Sequence, residues 1–161
     1  MTNNNIRYKS LKLRIYPNKS QEILINKTFG CTRLLYNLHL EERLNYYEQK
    51  VKGIEDKTKR NEILKTFKPT TEKQWKEKYP FMKEISNVAL QQSRINCDKS
   101  FQRFFSKKSN FPKFKSKKNN RQSYTEVLNI HIYFDKQKIK IPKMDMISFR
   151  NKPKPKWYSQ I

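Results

Sequence analysis

Glycine is almost missing from this chain: Gly30 and Gly53 are all it has in 161 residues. A phosphate-cradling loop needs several glycines close together, so two distant ones exclude it. They also exclude a flexible Gly-rich tail. Cysteine is equally scarce. Cys31 and Cys97 stand far apart and no Cys-x-x-Cys exists, so a tetrahedral zinc site is not encoded. Both fall on apolar helical faces and are expected to pack in the core. His39 and His131 are single, and neither has the Ser, Cys or Asp arrangement of a general base. No run approaches the ~18 apolar residues of a membrane span. The N-terminus, MTNNNIRYKS, lacks the apolar stretch of a secretion signal. The chain therefore reads as cytoplasmic, or nucleoid-associated.

Negative charge is the other shortage. Asp plus Glu number 14 against 37 Lys plus Arg, a formal charge of +23. A small domain usually carries about 2 to 8 in magnitude. An excess this large opposes folding by self-repulsion unless a polyanion screens it. Nucleic acid is the simplest such partner. An anionic membrane would want a basic amphipathic helix or a lipid anchor, and neither is evident. Two-metal phosphodiester cleavage needs about three convergent carboxylates. After Asp98 only Glu126, Asp135 and Asp145 remain, spaced for turns and strand ends. The earlier acids fit solvated helical faces. The chain alone is expected to be no enzyme, with no catalytic residue, metal or cofactor.

What is present argues for a folded body: 35% hydrophobic and 13% aromatic residues are too many for a disordered chain. Residues 8–16, YKSLKLRIY, alternate. Leu11, Leu13 and Ile15 point one way, and Lys12, Arg14 and Tyr16 the other, as in a half-buried strand. Asn18 with Gln21 resembles a capping box. Gly30 predicts a break or a close helix contact. Cys31, Leu34, Leu35 and Leu38 form one helical face, and Tyr36, Leu40, Leu44 and Tyr47 a second. A helix apolar on two sides lies between neighbours, and this one should stop near Gly53. A weak helix is expected within 54–69, then a short one capped by Thr71 and Gln74, carrying Trp75 and ended by Pro80. A longer helix starts near Ser86 or Asn87, with Leu90, Cys97, Phe101 and Phe104 as its stripe and Phe105 expected in the core beside them.

Period two returns at the end. Leu128, Ile130, Ile132 and Phe134 share one face; Asn129, His131 and Tyr133 share the other. Asp135 to Lys138 turn into Ile139 and Ile141, and Met146 to Phe149 make a last short strand. The expected fold is α+β: a small β-barrel-like wedge domain interrupted by an inserted helical domain. Its parts are a first strand at 6–17, helices over 18–106, a basic loop at 107–122, further strands at 123–150 and an unstructured tail at 151–161.

The basic loop is the densest signal. Nine Lys or Arg lie from Lys99 through Arg121 with no acid among them, threaded by Phe101, Phe104, Phe105, Phe111 and Phe114. Lys107, Lys108, Lys113, Lys115, Lys117, Lys118 and Arg121 would face phosphates. Such contacts position nucleic acid without reading sequence. Phe111 and Phe114 would either stack on bases or pin the loop to the body.

Four blocks in order resemble one family: LKLRIYPNKSQEILINKTFGCTRLLYN (11–37), VALQQSRINCDKSFQRFF (88–105), FPKFKSKK (111–118) with SYT (123–125), and IKIPKM (139–144). Together they cover roughly residues 8 to 145 and are similar to TnpB, the OrfB-type proteins of bacterial insertion sequences. The resemblance implies a wedge barrel interrupted by a helical recognition domain, also described as a transposase helix-turn-helix. It implies RNA-guided DNA cleavage by the family, with a guide RNA from the transposon end and double-stranded target DNA as partners. It places Lys12, Arg14 and Tyr16 near RNA. It also places the helix from Asn87, and the SYT segment, near the DNA motif. Asn87, Gln91 and Tyr124 are therefore the candidates for base contacts, since a side-chain amide can bond adenine through two atoms.

The family continues into an RNase H-like nuclease domain with three acidic residues and a four-cysteine zinc element. Neither is in this chain, and MDMISFR stands where a Leu-Gly step is usual. The expectation is a nucleic-acid-binding N-terminal module truncated before its nuclease half. The alternatives are a standalone basic RNA- or DNA-binding protein that modulates transposition, or an inert pseudogene fragment.

Overall fold

A computed structural model describes residues 10–150; the expected tail at 151–161 and the first residues of the N-terminal strand lie outside the described residues. The elements run β1 (Ile15–Tyr16), α1 (Lys19–Lys50), α2 (Lys57–Lys65), α3 (Glu72–Lys78), a 3₁₀ helix (Pro80–Glu84), α4 (Asn87–Phe105), β2 (His131–Tyr133), β3 (Lys138–Lys140) and β4 (Ile147–Phe149).

The 32-residue α1 begins with the capping box: Asn18 Oδ1 accepts from the Gln21 amide at 2.9 Å, and Gln21 Oε1 accepts from the Asn18 amide at 2.9 Å. Gln21 is buried, and its Nε2 also donates to the carbonyls of Asp145 and Met146, both at 3.3 Å. One side chain thus caps the helix and ties it to the sheet. Gly30 is neither a break nor a close contact: α1 runs through it, and a Cβ there would meet nothing within 4 Å. The helix does end where expected. The amides of Val51 and Lys52 both reach the Tyr47 carbonyl, and Gly53 takes φ +88°, a conformation that suits glycine.

The two apolar faces of α1 feed two clusters. Cys31 and Leu35 pack with Trp75, Met82, Ile85 and Leu90, while Tyr36 and Leu40 pack with Cys97. Both clusters lie between α1 and α4, with α3 and the 3₁₀ helix closing the first. The hydroxyl of buried Ser93 donates to the Thr32 carbonyl at 2.5 Å across the helix contact. Burial pushes the Cys97 thiol up to about 11 and raises that of Cys31, so both act as core atoms and not as nucleophiles. His39 is buried as well. Its burial lowers its pKa despite Glu42 Oε2 at 3.3 Å, so the ring is neutral near pH 7. Phe101 and Phe104 are half-buried, but Phe105 is 72% exposed, contrary to its expected core position. It is the last residue of α4.

The sheet is antiparallel in the order β1-β4-β3-β2. The first strand pairs with the C-terminal strands, as the strand–helices–strands order implies. Among the described residues the sheet is open, with β1 and β2 at its edges, so they do not show the expected barrel-like closure. Closure would need those edges to meet. Instead Leu128 and Ile130, expected to lengthen β2, are exposed, because Asn129 turns the backbone at φ +55°. At the other edge the burial alternation starts at Leu11, yet the ladder holds only Ile15 and Tyr16, plus one bond from the Arg150 amide to the Arg14 carbonyl at 2.8 Å.

Two substitutions test these helix assignments. Gln21→Ala removes half of the capping box and the tie to the sheet, and should cost about 1–2 kcal/mol in denaturant unfolding. Gly30→Ala should instead stabilise the protein by about 0.5–1 kcal/mol, since space is free and alanine favours helix. A destabilised Gly30→Ala protein would mean that a close contact exists there after all.

Candidate nucleic-acid interface

The end of α4 launches the basic loop. The Lys107 amide bonds the Phe104 carbonyl at 2.9 Å and the Lys108 amide bonds the Arg103 carbonyl at 2.8 Å, with Lys107 at φ +56°. This is a Schellman turn with lysine where glycine is usual. Phe111 then comes back edge-on against Phe104 and Phe101, ring centroids 5.1 and 5.7 Å away, and Pro112 is buried beneath it. Of the two readings for Phe111, pinning the loop to the body matches this geometry. Phe114 is 55% exposed.

A single face of α1 holds the rest. Phe29, Arg33 and Asn37 recur every four residues, so they line up along the helix. Asn37 Oδ1 accepts from the Lys115 amide at 2.8 Å, and Asn37 Nδ2 donates to the Lys115 carbonyl at 3.0 Å. The Lys115 ammonium lies 4.1 Å from the centre of the Tyr36 ring, and its burial there lowers its pKa. Arg33 donates to Gln122 Oε1 at 2.8 Å. The Phe29 ring meets that of Tyr124 edge-on at 5.7 Å. Sequence reasoning missed this clasp, although the four-residue spacing of Phe29, Arg33 and Asn37 carried the signal.

With the backbone held, the cations point outward. Lys107, Lys108, Lys113, Lys117, Lys118 and Arg121 are exposed. Side-chain turns support two of them: the Lys118 amide bonds Ser116 Oγ at 3.1 Å, and the Arg121 amide bonds Asn119 Oδ1 at 2.9 Å. Lys115 stands apart, since Tyr36 already engages its ammonium. At the sheet edge, exposed Lys12 and Arg14 share a hollow with Arg150, and the Arg14 guanidinium lies 5.6 Å from the Tyr16 ring centre.

Two of the base-contact candidates stand at the start of α4, while Tyr124 packs on Phe29 of α1. Asn87 and Gln91 are exposed one turn apart, with Lys76 donating to Asn87. Ser86, the N-cap, donates to Glu126 Oε1 at 3.0 Å and so brings the segment of Tyr124 alongside. Burial raises the pKa of Tyr124, with Glu126 adding to it, and burial also raises that of Glu126 against the pull of the Ser86 bond. Four acids elsewhere are paired with cations: Glu72 with Arg94, Asp98 with Arg43, Glu84 with Lys27 and Glu48 with Lys52. Among the described residues no three His, Cys, Asp or Glu side chains gather as metal ligands would, and no helix is long and apolar enough to cross a membrane.

Residues 4–52 match the helix-turn-helix domain of OrfB proteins of the IS605 type. A protein of Streptomyces pristinaespiralis, named a candidate RNA-guided DNA endonuclease, is 36% identical over 118 residues. The chain belongs to the OrfB (TnpB) family of insertion-sequence proteins. That relative is matched over 71% of this chain and 27% of its own length. InsQ of Escherichia coli K12, with the same kind of name, is 26% identical over 145 residues, 90% of this chain and 34% of InsQ. The virulence protein VsdF of Salmonella dublin is 30% identical over 111 residues, 68% of this chain and 93% of VsdF. The chain thus spans about a third or less of the two OrfB relatives with endonuclease names. Within the matched helix-turn-helix segment, residues 19–50 form the single helix α1, and its packing partner α4 lies outside that segment.

If the α1 clasp holds the loop, Asn37→Ala should make local opening about 1–3 kcal/mol easier. Limited trypsin digestion should then cut within residues 107–121 faster than in the parent protein, with helix content by circular dichroism unchanged. Equal cutting rates would show that Asn37 does not hold the loop.

Proposed function

We propose that this OrfB-family chain is the nucleic-acid-binding module of an RNA-guided DNA nuclease. In this reading it binds guide RNA and the DNA flanking the target, and leaves cleavage to a separate nuclease domain. The observation that carries the reading is the basic loop clasped along α1, with six exposed cations on a backbone fixed by Asn37, Arg33 and Phe111. A fixed array of cations can match phosphate spacing without losing loop entropy on binding. Lys12, Arg14 and Arg150 extend the positive surface to the sheet edge, as a site for RNA backbone. Asn87 and Gln91, exposed at the open end of α4, are proposed as the base-reading pair, with Tyr124 supporting them. A nucleoid location follows from DNA binding.

The fit to VsdF, matched along 93% of its own length, favours a second reading in which such a module acts as a free-standing nucleic-acid-binding protein. The two readings share the interface and differ in whether a nuclease domain works with it.

Binding to duplex DNA and to structured RNA, followed against salt, tests the interface. Lys117→Ala combined with Lys118→Ala should weaken both and reduce the slope of log K against log salt by about 2 on DNA. An unchanged slope would remove the loop from the interface. Selection from a randomised duplex pool tests the base-reading pair. Gln91→Ala should blur the consensus at one position while leaving RNA binding intact, and an unaltered consensus would refute its role.

A further inference from the structure

The far end of the helical block holds a cleft that shares Phe111 with the interface above and is otherwise lined by different residues. It has a volume of about 690 Å³, within the size range of ligand pockets. Its floor is the Arg43 guanidinium, set between the rings of Phe67 and Phe101 at 5.3 and 5.2 Å and bonded to Asp98. One wall carries Phe104, Phe105 and Phe111, and the other Tyr47 and Leu64. Four of these are substantially exposed: Phe105 at 72%, Phe111 at 44%, Tyr47 at 42% and Leu64 at 40%. So many large apolar side chains around one opening mark a contact surface and not ordinary scatter.

The rim decides what fits. Lys57 and Arg60 of α2 line it, beside the Arg43 guanidinium. The acid in the lining, Glu48, is paired with Lys52 at 2.7 Å. An aromatic slot with the cations Lys57 and Arg60 along one side matches a strand whose bases are unpaired: rings stack on the bases while ammonium and guanidinium groups meet the phosphates. A duplex hides its base faces and has nothing to place there. The Asn61 amide also lines the cleft, where it can bond a base edge.

We infer that this cleft between α2 and the end of α4 binds unpaired nucleotides of a single-stranded nucleic acid, with Phe105 as its main stacking platform. The inference rests on the nucleic-acid-binding reading, but it concerns a second site with a different substrate form.

The test uses the full chain and two oligonucleotides of one sequence carrying 2-aminopurine, one single-stranded and one as a duplex. Binding is followed by anisotropy and stacking by quenching of 2-aminopurine. Phe105→Ala should weaken single-strand binding by about fivefold or more, abolish most of the quenching, and leave duplex binding within about twofold. Phe105→Trp should restore both. Phe105 is so exposed that its removal does not threaten the fold. Equal effects on both oligonucleotides, or no effect on either, would overturn the cleft assignment. Tight binding of an acidic apolar peptide in the cleft, undisturbed by single strand, would overturn it too. Loss of salt-sensitive duplex binding in Lys117→Ala/Lys118→Ala, with no change in Phe105→Ala, would sink this inference alone. No measurable binding of either form by the parent protein would sink the reading beneath it.

Discussion

Asn37 exchanges two hydrogen bonds with the backbone of Lys115, and Tyr36 beside it takes the Lys115 ammonium on its ring. The most repulsive stretch of a +23 chain is held to the body at this point. Like charges in a free loop would spread it into solvent. Here one lysine is given up to the fold, and its neighbours Lys113, Lys117 and Lys118 are displayed. The phenylalanines in the same window divide the work. Phe111 is packed against α4, while Phe105 is left bare beside its own cations.

Helix α1 makes this possible because it is used on three sides. Cys31 and Leu35 serve one core, Tyr36 and Leu40 another, and Phe29, Arg33 and Asn37 hold the loop. At ~1.5 Å per residue such a helix is about 48 Å long. It therefore carries the sheet at its start, through Gln21, and the aromatic cleft near its end, through Arg43 and Tyr47. The proposed duplex-reading end, the phosphate loop and the single-strand cleft are thereby fixed relative to one scaffold. The chain does this nearly without glycine, so Lys107, Asn129, Gln137 and Lys143 occupy the left-handed region instead. Each such residue costs on the order of 1 kcal/mol.

Much of this was legible beforehand. Asn18 with Gln21 and Thr71 with Gln74 stood in the chain as capping boxes, and both form. The two apolar periods in α1 predicted a helix buried on both sides. What failed had a common physical cause: local pattern does not report what lies opposite. Gly30 looked like punctuation, yet the turns around it carry the helix through. Leu128 and Ile130 alternate as strand residues should, but Asn129 turns the chain and both stay exposed beyond β2. Phe105 repeats the core spacing one step past the end of the core. The clasp was missed for the complementary reason. Arg33 and Asn37 are polar residues on a helix, and only their partners in the loop make them more than solvated surface.

Amide hydrogen exchange of the loop in low salt is the most direct measure of whether α1 holds the basic segment in place. The Lys115 amide, donated to Asn37, should exchange markedly more slowly than that of Lys113 or Lys117 in the protein without nucleic acid. Uniformly fast exchange across residues 107–121 would contradict the account, since the cations would then be ordered only by the nucleic acid and not by the fold.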